Sequence, residues 1–173
     1  MTGPAGRTLL EPGDGSLGPL LRVTDDRLPP GAGYGVHAHR AVDVVAVVLA
    51  GSLTHRWHAA TPLSAGDVGV LRAGRGLDHD EVAGPGGARV LQCHLRAADP
   101  GAAPAHEVLR APCGWVDLGR PDARLWLGPG DGPGDGPGDG PGDGPDVPDG
   151  VVLRAGGRVV VWSVDAGRPD WAD

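Results

Sequence analysis

Short apolar segments, each closed by glycine or proline, recur along most of this chain. Clear examples are VDVVAVVLA (42–50), ARVLQCHLR (88–96) and RVVVWSV (158–164). Aliphatic and β-branched residues between such turns are typical of β-strands, and no segment shows a convincing helical repeat. The sequence therefore predicts an all-β fold, either a sandwich or a barrel. Further strands are predicted at 19–23, 52–58, 67–73 and 123–128.

Composition limits the classes of function. The chain has 173 residues, which suits one domain with an incomplete second one. It carries a net charge of −7 and no basic patch, so we expect no direct nucleic-acid partner. It has no apolar run long enough for a membrane span or a signal peptide, so we expect a cytoplasmic protein without membrane contact. Cys93 and Cys113 make no disulfide scaffold, and Cys93 is expected to be a buried thiol.

Four consecutive GPGD units divide the C-terminal part of the chain. Glycine and proline without apolar residues predict a flexible spacer at 128–148. Strand-like sequence lies before the spacer and after it, but too few residues remain for a second full barrel. We therefore expect a main domain at 1–110, the start of a partial C-terminal β region at 111–127, and its remaining strands at 149–173.

Two histidine-containing pairs stand about forty residues apart. His37 and His39 are separated by one residue, and so are His79 and Glu81. Residues i and i+2 of a strand share a face. If both faces meet inside a barrel, three imidazoles and a carboxylate converge, which suits divalent Fe, Mn, Ni, Co, Cu or Zn. Each pair alone is more typical of a surface or hydrogen-bonded histidine, and only their combination favours a metal site.

Several polar residues near these pairs have more than one interpretation each. Asp43 either orients Arg40, accepts a hydrogen bond from a ligand imidazole, or is a solvated charge at a strand edge. His55 and His58 lie on opposite faces of one predicted strand, so at most one faces a pocket. Gln92 and His94 share a face, which points either into the pocket or to solvent.

Three stretches together resemble the N-terminal domain of the pirin family, whose members are bicupins. They are GAGYGVHAHRAVDVVAVVLAGSLTHRW, LSAGDVGVLRAGRGLDHDE and ARVLQCHLR, within residues 20–96. The resemblance implies a cupin, a jelly-roll β-barrel with a metal in its mouth, and a degenerate second cupin. It also implies the ligands His37, His39, His79 and Glu81, with iron as the first candidate. The chain departs from the family pattern at Ala38, Asp43 and the position of a usual Trp or Phe, which is His94.

The family resemblance implies two kinds of function. Some pirins have quercetin 2,3-dioxygenase activity, which predicts a small aromatic, flavonol-like or other enol substrate together with dioxygen. In that case Glu81 is the candidate base that removes the substrate proton. Other pirins are iron-dependent transcriptional co-regulators, which predicts a non-enzymatic regulatory or redox-sensing protein with a protein partner. The ligand set does not choose between them.

Overall fold

The structure is a computed structural model that describes residues 5–12, 15–129, 136–137 and 151–164. Every regular element in these ranges is a β-strand, which confirms the predicted all-β class. No segment of the described ranges forms a helix that could cross a bilayer.

The described residues form thirteen strands. In chain order they are β1 (Ala5–Leu10), β2 (Leu20–Leu28), β3 (His37–His39), β4 (Val42–Trp57), β5 (Ala59–Ser64), β6 (Val68–Arg72), β7 (Leu77–Arg96), β8 (Ala105–Leu109), β9 (Gly114–Val116), β10 (Ala123–Pro129), β11 (Gly136–Pro137), β12 (Val151–Ala155) and β13 (Arg158–Val164). The segments predicted at 42–50 and 52–58 belong to one strand. The segment predicted at 88–96 is only the second half of β7. The predicted break between residues 50 and 52 and the predicted strand start at residue 88 were therefore wrong.

Strands β4 and β7 run antiparallel and form the centre of the first sheet. The first half of β4 pairs with the second half of β7, and the second half of β4 pairs with the first half of β7. The register between them shifts on both sides of Gly51, where the sheet bends. Gly51 has a φ of 72°, and a Cβ there would collide with the Gly87 carbonyl, so glycine is required at this crossing.

The bend gives the first sheet two halves. On one side of the bend, the sheet has the order β1-β2-β7-β4-β6-β8. On the other side, β3 pairs with the first half of β7, and β5 pairs with the second half of β4. A small apolar cluster lies on the inner face of this bent sheet, and its buried members include Leu28, Val48, Leu53, Leu63 and Val90. The candidate site occupies the same inner face.

A second, five-stranded sheet has the order β11-β12-β13-β10-β9 and packs on the outer face of the first. The larger apolar cluster combines residues of both sheets, such as Leu91 and Cys93 of β7 with Leu125 and Trp162. Successive residues of a strand point to opposite faces, so β7 is buried on both sides. This burial explains why its sequence is a nearly continuous apolar run, and it confirms that Cys93 is buried.

The predicted division into domains stays a prediction. Most of the 128–148 spacer lies outside the described residues. Of its described members, Gly128 and Pro129 end β10, and Gly136–Pro137 pairs with β12. Because the two sheets share one apolar cluster, we expect the partial C-terminal β region to unfold together with the main domain.

Asp43 connects the two regions through a buried ion pair. Its Oδ2 accepts a hydrogen bond from Arg120 Nη1 at 2.9 Å, and the side chains are 8% and 3% exposed. Burial raises the pKa of Asp43, and the Arg120 charge opposes that rise. The described partners of Asp43 are Arg120 and the amide of Ala98, so its partner is an arginine far along the chain and not Arg40, a ligand imidazole or bulk water.

Replacing Trp162 tests the shared core. Trp162 is fully buried between the sheets, so Trp162→Ala should lower the free energy of unfolding by about 3–5 kcal/mol. Trp115 is 40% exposed, and Trp115→Ala should cost about 1 kcal/mol or less. Denaturant unfolding followed by circular dichroism measures both values. Two separate transitions in the wild type would contradict a shared core.

Candidate metal centre

The register of β3 against β7 brings the two histidine-containing pairs together. His37 lies directly opposite His79, and His39 lies opposite Leu77. The ring centroids of His37 and His79 are 4.5 Å apart, and those of His39 and His79 are 5.0 Å apart. One potential ligand atom from each of the three histidines lies within 4.8 Å of the others. The convergence expected from the i, i+2 spacing is therefore present for the three imidazoles.

The hydrogen bond of His37 fixes which of its nitrogens can bind a metal. Nδ1 lies 2.8 Å from the carbonyl oxygen of Gly35, and a carbonyl oxygen only accepts. Nδ1 therefore carries the proton, which leaves a lone pair on Nε2 in the neutral ring. This Nε2 lies 3.0 Å from Nε2 of His39, so both nitrogens are directed to the same small volume.

His79 is oriented by His55, a residue of β4. Nδ1 of His79 lies 2.7 Å from Nε2 of His55 in a buried hydrogen bond. Nε2 of His79 is buried and has no hydrogen-bond partner among the described residues. A buried nitrogen without a partner is costly, and a metal ligated there would satisfy it. A second ring nitrogen held by a hydrogen bond is also what metal-binding histidines usually have.

Burial keeps the imidazoles of His39, His55 and His79 neutral by lowering their pKa values. Desolvation, followed by the neighbouring histidines, lowers the pKa of His79 to about 3. Desolvation likewise lowers the pKa of His55 to about 4, and it lowers the pKa of His39. Only the neutral imidazole has a free lone pair, so at neutral pH the rings are in the form that binds metals.

Glu81 lies beside the three imidazoles but outside the group that their ligand atoms form. It is buried, and its Oε2 accepts a hydrogen bond from Gln92 Nε2 at 2.7 Å. Desolvation raises the pKa of Glu81 to about 7, the Gln92 hydrogen bond opposes the rise, and Asp26 and Asp80 add to it. A cation bound to the imidazoles would favour the charged carboxylate. The three imidazoles thus fit a divalent transition metal as nitrogen donors, and the buried Glu81 carboxylate lines the same cavity.

A cavity of about 420 Å³ opens beside these groups. His37, His39 and Glu81 line it. Its other lining residues are Arg22, Asp26, Tyr34, Gln92 and His94. A substrate in this cavity would contact the same side chains that would hold the metal.

Sequence reasoning located some of the surrounding residues and missed the roles of others. Gln92 and His94 face the cavity, which settles the alternative left open for them. His55 faces inward, whereas His58 is exposed in the turn after β4. His55 also stacks on His106 of β8, with ring centroids 3.8 Å apart. Nothing in the sequence around His106 indicated that it lies near the site.

The sequence of this chain is similar to those of known proteins. A family model described as Pirin matches residues 10–94, which include all four candidate ligands. The chain belongs to the pirin family. A pirin-like protein of Caulobacter vibrioides is 30% identical over 98 residues, which are 55% of this chain and 42% of that protein. The chain aligns with less than half the length of the curated relatives it matches.

Solved structures confirm the cupin fold of this pirin. The Escherichia coli protein YhhW has a TM-score of 0.69 at 17% identity, covering 95% of this chain and 92% of that one. The bacterial pirin YhhW in complex with nickel(II) has a TM-score of 0.65 at 20% identity, covering 76% and 68%. A quercetin 2,3-dioxygenase from Acinetobacter baumannii has a TM-score of 0.57 at 17% identity, covering 90% and 72%.

The hydrogen bond between His79 and His55 predicts an effect on metal affinity. His55→Ala removes the group that orients His79, so we expect the affinity for nickel(II) to fall about ten- to a hundredfold. His58→Ala changes an exposed histidine three residues away and should leave the affinity unchanged. Competition with a chelating dye measures both. Equal affinities for the two variants would contradict the orienting role of His55.

Proposed function

We propose that this pirin is a metal-dependent dioxygenase of the quercetin 2,3-dioxygenase type, acting on a flavonol or another enol. The observation that carries the proposal is the convergence of three imidazoles beside a buried carboxylate at an open cavity. Two findings support it: the shared fold with a quercetin 2,3-dioxygenase, and the nickel(II) complex of a bacterial pirin with that fold.

We propose His37, His39, His79 and Glu81 as the ligands of one divalent transition metal. Iron is the first candidate from the family resemblance. Nickel, manganese, copper, cobalt and zinc also accept nitrogen and oxygen donors of this kind. The buried Nε2 of His79 supports the assignment, because ligation would provide its missing partner.

The side chains have distinct roles in the proposed reaction. The metal would supply Lewis-acid binding of the enol oxygen and a redox centre for the reaction with dioxygen. Glu81, once detached from the metal, would take the enol proton onto its carboxylate; it lines the cavity together with His37 and His39. Gln92 donates to Oε2 of Glu81 and thereby holds the carboxylate toward the substrate.

The alternative is a non-enzymatic regulatory or redox-sensing protein that binds a protein partner. It shares the metal site and differs in having no turnover, so one assay separates the two. The predicted cytoplasmic location and the predicted lack of nucleic-acid binding stay predictions.

Oxygen uptake by metal-loaded protein tests the proposed activity. The panel would contain flavonols, hydroxypyranones and small hydroxy acids. We expect uptake with at least one compound, and we expect Glu81→Gln to lower the rate by about a hundredfold or more through loss of the base. Asp78→Asn removes a nearby exposed carboxylate and should leave the rate unchanged. Full metal occupancy without uptake on any compound would favour the regulatory alternative instead.

A further inference from the structure

Every residue that lines the cavity carries a polar side chain. Three of them carry a guanidinium or a carboxyl group: Arg22, Asp26 and Glu81. Cavities that bind drug-sized aromatic molecules are lined mostly by hydrophobic and aromatic side chains with only a few polar groups. A ligand in the cavity has to replace the water around these groups with polar contacts of its own, because a buried polar group without a partner is costly. The lining therefore favours a ligand that carries charged or polar groups.

Arg22 and His94 form a pair at one side of this cavity. They are direct partners in the antiparallel register of β2 and β7, so their side chains leave the sheet side by side. No carboxylate of the described ranges forms an ion pair with Arg22. Nδ1 of His94 is buried and has no hydrogen-bond partner within the same ranges. Both residues line the cavity, so a ligand there meets the Arg22 side chain and the His94 ring.

The pair lies close to the candidate metal. The ring centroids of His94 and His39 are 5.7 Å apart. One small ligand would therefore be long enough to contact both the Arg22–His94 pair and a metal held by His39. Asp26 of β2 also lines the cavity, and its Oδ2 accepts hydrogen bonds from Tyr34 at 2.8 Å and from Thr24 at 3.0 Å. These donors offset part of the Asp26 charge, and Arg22 keeps its own charge for a ligand.

We propose that Arg22 and His94 bind an anionic group of the substrate, and that the substrate is a small enol or vicinal diol acid. This inference rests on the proposed metal-dependent function and narrows its substrate class. Guanidinium binds a carboxylate through two parallel hydrogen bonds, and such charge-assisted bonds are stronger than neutral ones. The enol or diol oxygens would face the histidines while the carboxylate faces Arg22.

Two ligands that differ only in a carboxylate test the inference. Catechol and 3,4-dihydroxybenzoate share the same pair of chelating oxygens, and only the second has an acid group. The full chain would be loaded with nickel(II), its metal content measured, and each ligand titrated without oxygen by calorimetry. We expect the acid to bind about tenfold more tightly than catechol. Quercetin, which has no carboxylate, should bind less tightly than the acid.

Substitutions on β2 and β7 assign the effect to the proposed pair. Arg22→Gln and His94→Ala should each weaken binding of the acid, about tenfold for Arg22→Gln, and leave catechol unchanged. Arg27→Gln removes the same charge from the same strand, but Arg27 does not line the cavity, so both affinities should stay at wild-type values.

The outcomes separate this inference from the proposed function. Nickel-loaded wild type that binds the two ligands equally, or Arg22→Gln that weakens both equally, would overturn the anionic subsite and leave the metal site intact. Tightest binding of quercetin would also overturn it. A chain that takes up no nickel would overturn the proposed function, and this inference would fall with it.

Discussion

The antiparallel register between β3 and β7 is the constraint on which the site depends. β3 has only three residues, yet it places His37 directly opposite His79. Side chains alternate faces along a strand, so a slip of one residue would turn both His37 and His39 away from the cavity. The segment before β3 holds the register through hydrogen bonds from Tyr34 N to Glu81 O at 3.2 Å and from Ala83 N to Ala32 O at 2.8 Å.

Gly33 allows this segment to approach β7 closely. A Cβ at Gly33 would press against the carbonyl oxygen of Glu81, the residue proposed as ligand and base. A larger residue would force the segment away from β7 and would loosen the register that follows it. The chemistry of the site thus depends on backbone contacts made by residues that carry no functional group.

The two faces of the second half of β7 have different roles: one stabilises the fold and the other lines the cavity. Leu91, Cys93 and Leu95 point to the second sheet and belong to the larger apolar cluster, whereas Gln92 and His94 point into the cavity. The apolar face gains its free energy from burial, so the opposite face can carry polar groups that are imperfectly satisfied. The buried ring nitrogens of His79 and His94 without partners are consistent with this division.

The sequence predicted what depends on local pattern and missed what depends on distant partners. Strand periodicity identified the all-β class. The i, i+2 spacing allowed the two histidine-containing pairs to meet, and the three imidazoles do lie together, while Glu81 lies outside their group. The pairing of Asp43 with Arg120 joins residues 77 positions apart, and no local pattern encodes it. The stacking of His55 on His106 likewise depends on where β8 joins the sheet edge. β-pairing between distant segments is set by the whole fold, which a single sequence does not reveal.

Metal content per chain tests the central claim most directly. Untagged wild type, His37→Ala and His58→Ala would be measured by mass spectrometry after reconstitution with iron, nickel, copper or manganese. The convergence of His37, His39 and His79 predicts about one transition metal per chain in the wild type and in His58→Ala, and loss of it in His37→Ala. No metal in any of the three proteins, or full retention in His37→Ala, would contradict the site.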